Sequence, residues 1–188
     1  SGGNYGWRIK EGNLDFDATA PNPDNDPLLA PIAQYAHGGQ NVDGLMSIGD
    51  SVTGGYVYRG LCNPNLRGIY LFADWGTFGN VGQSGTLLAL TEAGGGFQLE
   101  QMTVVGGNPI GEHIYAFGED EDGEVYVLTK KSLNPIPDVP DGSIFRIREA
   151  GSGLAVELAP EIDNTIYSES ALSNGAGDWI FVGRTGFS

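Results

Sequence analysis

The 188-residue chain carries 24 Asp and Glu against nine Lys and Arg, a formal charge of −15, with 31 glycines and one cysteine. So acidic a chain excludes nucleic acid and anionic membrane as partners, because its cations are too few to neutralise phosphates. A single cysteine excludes an internal disulfide framework and a zinc cluster.

Residues 1–49 are irregular. The opening "SGGNYGW" reads as the interior of a longer polypeptide, and "NYGW" and "PIAQYAHGG" read as parts of a preceding unit. Between them "DATAPNPDNDPLLAP", rich in Pro, Asp and Asn, is expected to be a long surface loop. Trp7 is expected to pack in the core, with stacking on a sugar as the alternative. His37, ahead of a glycine-rich loop, is expected to be structural or loop-exposed. No apolar run is long enough to span a bilayer.

From Ser51 the chain turns to short β-rich runs separated by glycines, and those runs repeat. "SGTLLALTEAGGGF" at 84–97 matches "DGSIFRIREAGSGL" at 141–154, an offset of 57 residues. "LRGIYLFAD" matches "EDGEVYVLT" at nearly the same offset, and "SVTGGYVYRG" and "GEHIYAFGE" precede them. Alternation such as Val125-Tyr126-Val127-Leu128 has the period of strands rather than helices. Each copy therefore predicts four antiparallel strands, over about 51–104 and 112–158. Tandem units of this kind are the blades of an all-β propeller; a tandem of ordinary β-sandwich hairpins is the alternative. Residues 1–160 are assigned to the propeller portion, including part of a preceding blade. Residues 161–188 break the pattern and read as the start of a second β module. Two or three blades leave open sheet edges, so the remainder of a longer chain, or other copies, is expected to cover them.

The acidic stretch "AFGEDEDGEVYVL" invites a calcium reading. It fails as an EF-hand loop: with Gly123 at the obligatory glycine, the loop would end on Thr129 where a bidentate Glu is required. A looser calcium site would use Asp120 and Asp122. The leading reading is a hairpin in which Asp122-Gly123 supply the positive φ values of a type I′ turn. Of the two histidines, His113 falls where an inner strand faces a central channel and either contacts a ligand or is hydrogen-bonded structurally. Arg59 either approaches that channel or closes an ion pair. Asp74 is a candidate ligand group at the channel mouth, and Trp75 either packs in the core or stacks on a sugar. Cys62 reads as a small loop residue. "TGG" at 53–55 lacks the spacing and lysine of a phosphate loop.

Together "NYGWRIKEG", "PIAQYAH", "SVTGGYVYRG", "LRGIYLFADW" and "FGEDEDGEVYVL" resemble the later blades of soluble PQQ-dependent sugar dehydrogenase-like proteins, a superfamily that includes hedgehog-interacting-protein-like propellers. The likeness covers about Asn4 to Ile147. It implies a six-bladed propeller, extracellular or periplasmic. In its enzymatic members it also implies PQQ over the channel, with calcium, and hydride transfer from an aldose. The family's catalytic histidine and most calcium ligands lie upstream of the matched segment. Its later blades contribute a lysine and an Arg-x-Arg pair that hold the quinone's carboxylates and carbonyls. By position the lysine falls near Gly76, and the arginines fall at His113 and Tyr115. None of the three is a strong cation at neutral pH. Two functions follow: a parent that oxidises aldoses with PQQ, or a non-catalytic extracellular propeller that binds carbohydrate or protein or serves as a structural module. The isolated chain is not expected to catalyse by itself.

Overall fold

The computed structural model describes residues 3–22, 25–78, 84–132 and 141–163. Most of the expected second β module, from residue 164 onward, lies outside these. A two-stranded ribbon, β1 (Lys10–Glu11) and β2 (Leu14–Asp15), sits in the otherwise irregular amino-terminal part. Four strands follow in one antiparallel meander: β3 (Val52–Val57), β4 (Tyr70–Asp74), β5 (Thr86–Ala93) and β6 (Gly96–Gln101). After a short β7 (Thr103–Val104), a second meander comprises β8 (His113–Glu119), β9 (Val125–Lys130), β10 (Gly142–Glu149) and β11 (Ala155–Asp163). This is the all-β, four-stranded arrangement that the repeat predicts.

The role of β7 was not legible in the repeat. This two-residue strand leaves the first sheet's last strand and pairs in parallel with β11, adding a fifth strand to the outer edge of the second sheet. The connection staples the sheets together at their outer edges. Asn108 reinforces it, its side chain bonding both Leu87 backbone groups and the Met102 carbonyl at 2.8–2.9 Å.

Alternation sorts the central strands into two layers. Leu71 and Ala73 of β4 and Leu87 and Ala89 of β5 point at the second sheet, where Val125, Val127, Ile147 and Val156 meet them in one buried core. Tyr70, Phe72, Leu88 and Leu90 point the other way, and Ala33, Tyr35 and Ile48 of the amino-terminal segment pack on them. Each fully buried aliphatic side chain contributes roughly 1.5–3 kcal/mol, so the inter-sheet layer sets the relative placement of everything below. Trp7 departs from the expectation of burial: it is 71% exposed and leans on Phe16 with ring centroids 5.0 Å apart. The short ribbon that carries these rings has too few neighbouring strands to enclose them.

Candidate functional site

The first strands of the two sheets, β3 and β8, run side by side. At one end the Thr53 hydroxyl donates to the Ile114 carbonyl at 3.0 Å, and the Ile114 amide donates to the Trp75 carbonyl at 3.1 Å. At the other end Arg59 donates to Glu119 at 3.2 Å. A six-residue strand separates the two ends, a distance of ~20 Å at the usual rise per residue. The predicted site residues therefore divide. Asp74, Trp75, Gly76, His113 and Tyr115 share one end, whereas Arg59, Asp120 and Asp122 share the other.

At the first end Trp75 is the hub. Its ring stacks on His113 with centroids 4.2 Å apart and planes 23° from parallel. It also meets Tyr115 edge-on at 6.2 Å and Phe78 at 5.0 Å. His113 is wholly buried, and neither ring nitrogen has a hydrogen-bond partner. Burial pushes the imidazole below its ordinary value, against a smaller opposing pull from the Trp75 carbonyl, so the ring is neutral at pH 7. The ring is held by its stack on Trp75 and by exclusion of water. Tyr115 is the outward member, 47% exposed.

Asp74 is also fully buried, and its carboxylate is committed to the backbone and to one phenol. It accepts from the Tyr35 hydroxyl at 2.8 Å, the Ser51 amide at 3.1 Å and the Gly76 amide at 2.7 Å. Burial raises its pKa despite these three donors. The arrangement ties the amino-terminal segment, the start of β3 and the turn after β4 to one point, which is a brace rather than an open ligand group. Gly76 completes that turn at φ +135°. A Cβ placed there would lie 2.6 Å from the Ser84 Cβ and 2.8 Å from His113 Nδ1.

These residues do not fit the grip on PQQ that the resemblance implies. Gly76 offers no cation and has no room for a side chain, His113 is neutral and enclosed, and Tyr115 carries no positive charge. What the end offers is an aromatic cluster with an exposed rim of Tyr115 and Phe78. The buried neutral histidine has a measurable consequence. Below pH 6.5 the unfolded chain takes up a proton that the folded chain resists, so stability falls as pH drops from 6.5 toward the lowered folded value. Chemical denaturation across that range is expected to show the decline, and His113→Phe is expected to remove that part of it.

At the second end the acidic stretch is a hairpin between β8 and β9, with a turn other than the one predicted. Gly123 takes the left-handed conformation at φ +77°, but Asp122 does not. Type I′ geometry needs positive φ at both positions. Instead the Gly123 amide donates to the Asp120 carbonyl at 3.0 Å, and the Asp120 amide to the Glu124 carbonyl at 3.1 Å. The Asp120 carboxylate closes the turn, accepting from the Asp122 and Glu124 amides at 3.0 and 2.9 Å and from the Tyr126 hydroxyl at 2.9 Å. Asp120 thus supplies locally what a second positive φ would have supplied. Asp122 projects into solvent. Among the described residues no group of three or more His, Cys, Asp or Glu is arranged to hold a metal ion.

Arg59, weighed as a channel residue or an ion pair, pairs with Glu119 and bonds the Val57 carbonyl. Both its length and its 62% side-chain exposure keep that pair in water, where such bridges contribute about 0–1 kcal/mol. Arg59→Ala is accordingly expected to change the unfolding free energy from urea titration by less than about 1 kcal/mol.

Sequence reasoning missed the strongest polar assembly, which lies beside this hairpin. Glu124 is 1% exposed. It accepts from the Tyr58 hydroxyl and from the Leu61 and Cys62 amides at 3.1 and 2.9 Å, and it pairs with Arg146 at 3.5 Å. Tyr58 in turn receives both the amide and the side-chain nitrogen of Asn63 at 3.1 and 2.9 Å, and Asn63 also bonds the Ile147 carbonyl. The signal was present in the repeat: Glu124 takes the place that Ile69 holds in the first copy. A carboxylate at an apolar repeat position marks a buried partner network. His37 lies apart from both ends, on the surface, bonded to Glu11 at 2.9 Å; Cys62 is a free, exposed thiol beside Arg146.

With the two-sheet geometry in place, the chain can be compared with known proteins. It is similar to plant HIPL proteins and to the animal Hedgehog-interacting protein. The HIPL2 protein of Arabidopsis thaliana is 31% identical over 149 residues, covering 70% of this chain and 21% of its own length. The HIPL1 protein of the same plant is 27% identical over the same span. Human Hedgehog-interacting protein is 30% identical over 102 residues, covering 51% of this chain and 13% of its own. The chain thus spans about a fifth of the length of the plant relatives. No family model matches it, and no solved structure matches it. These relatives correspond to the hedgehog-interacting branch of the resemblance drawn from the motifs. Among the described residues no helix is long and apolar enough to cross a membrane.

Proposed function

We propose that the chain is part of an extracellular, non-catalytic β-propeller module whose aromatic end binds a protein partner. The observation that carries this reading is the replacement of fixed cations by the Trp75–His113 stack with Tyr115 and Phe78 at its rim. Aromatic side chains that are rigidly backed and partly exposed are the usual anchors of protein interfaces. A neutral, enclosed imidazole and a glycine have nothing to offer a quinone carboxylate. The names of the animal relatives, Hedgehog-interacting protein, support a protein partner over a sugar substrate, and they support an extracellular setting.

The test pairs two measurements on the same preparation. Immobilised Hedgehog protein, the partner in those relatives' name, is expected to retain the chain, with affinity falling about thirtyfold or more in Tyr115→Ala, the size of an interface anchor. PQQ with calcium is expected to leave the absorbance spectrum unchanged, and aldoses are expected to reduce no dye. Retained PQQ with aldose-dependent dye reduction would overturn the proposal in favour of sugar oxidation.

A further inference from the structure

The aromatic end is built over a titratable group that the fold encloses without a partner. His113 is wholly buried, and neither of its ring nitrogens makes a hydrogen bond. The ring lies against Trp75 and against Gly76, where an added Cβ would sit 2.8 Å from Nδ1.

The charged groups on the surrounding elements are committed elsewhere. On the turn after β4, Asp74 accepts from Tyr35, Ser51 and Gly76. Ahead of β3, Asp50 accepts from the Phe78 amide at 3.0 Å. Just before β8, Glu112 bonds Thr129 and pairs with Lys131. On β9, Lys130 stands opposite His113 in the register and pairs with Asp141. Tyr115, two residues along β8, meets Trp75. The Trp75 carbonyl already accepts from the Ile114 amide. No carboxylate bonds either ring nitrogen, and burial rather than a neighbouring charge is the main cause of the ring's lowered pKa.

A proton on this ring would be a buried charge without a counter-ion. The face of Trp75 returns about 0.5–2 kcal/mol to such a cation, less than the several kcal/mol that burying an unpaired ion costs. Protonation therefore favours a state in which the ring has left Trp75 for water. Trp75 then loses the stack that backs its contacts with Tyr115 and Phe78.

We infer that His113 is an acid-sensitive latch on the aromatic end: the neutral ring holds the Tyr115–Phe78 rim in place for its partner, and the protonated ring lets it go. The inference rests on the reading of that end as a protein-binding surface. Proton and partner then compete by linkage. Below the folded ring's lowered value each binding event releases one proton, so affinity falls toward about tenfold per pH unit.

Two measurements test the latch and the release separately, both between pH 7 and 4.5, where Glu124 stays ionised. In the parent chain alone, NMR follows the ring protons of His113, told from those of His37 by His37→Gln, and the indole resonance of Trp75, identified by Trp75→Phe. The two are expected to titrate with one midpoint. On immobilised Hedgehog protein, retention is expected to weaken with that slope, and His113→Phe is expected to flatten the slope whatever its affinity at pH 7. A Trp75 signal that does not follow His113, or an equal slope in His113→Phe, would overturn the inference. A shared titration without retention at any pH would overturn the binding reading, and the release with it, but not the coupling of His113 to Trp75. If His113→Phe does not fold, the His113 midpoint with and without bound Hedgehog protein decides it: binding is expected to push the midpoint lower, and an unchanged midpoint overturns the release.

Discussion

Glu124→Ala is expected to destabilise the protein by roughly 3–5 kcal/mol, the cost of leaving a buried charge and its donors without their partner. The residue is the meeting point of both sheets. Its carboxylate receives the Tyr58 hydroxyl and two amides from the loop after β3, and it pairs with Arg146 from β10. Removing it strands the buried Tyr58 hydroxyl and takes the acceptor from two loop amides. A control separates this network from simple burial: Arg59→Ala removes a charge from the same end but only from its wet surface. Glu124→Gln keeps the shape and one acceptor, and it is expected to fall between the parent chain and Glu124→Ala in urea unfolding.

The same carboxylate sets a pH response. Burial opposes its ionised form, but the Tyr58 hydroxyl, the Cys62 amide and the Arg146 charge outweigh burial and hold its pKa below 4.5. A folded value lower than the unfolded one means the stabilisation is complete above pH 4.5 and disappears as pH falls through the lowered value. Acid unfolding of Glu124→Gln is expected to lack this component. The response is distinct from that of His113, which acts between pH 6.5 and its own lowered value.

The second large effect is expected at Gly76. Gly76→Ala combines a positive-φ backbone, worth about 1–3 kcal/mol against an L side chain, with overpacking of a closed site, worth about 1–3 kcal/mol more. Ser84 and the buried ring of His113 leave no space for the added carbon. Gly76→Lys, which would restore the cation that the sugar dehydrogenase resemblance places there, is expected to be at least as destabilising and to confer no PQQ retention. Thermal unfolding reads the first outcome, and absorbance after gel filtration with PQQ reads the second. A Gly76→Lys protein that folds normally and retains PQQ would show that the turn can open, contrary to the packing around it.

Several local features are legible in the residues themselves. The 57-residue repeat and the two-residue alternation specify two meanders of four strands, because side-chain period and turn glycines are local properties. The position of the acidic hairpin is legible for the same reason; its turn type is not. Type I′ and the observed turn both accept Asp-Gly, and the choice falls to the Asp120 carboxylate and to Tyr126 across the hairpin.

Residue type and period alone set the strands, the turn positions and the lack of cations at the three places where the resemblance expects them, since each segment carries those properties by itself. Which residues share an end was settled by the packing of the sheets. Arg59 and Trp75 lie 16 positions apart, yet Arg59 follows β3 and Trp75 follows the antiparallel β4, which puts them at opposite ends of the pair, while His113 crosses from the next sheet to stack on Trp75. The same holds for Glu124, whose partners come from the end of β3, its following loop and β10. Contacts of this kind depend on how one sheet lies on another, and that placement is set by the summed fit of the buried layer between them rather than by any single motif.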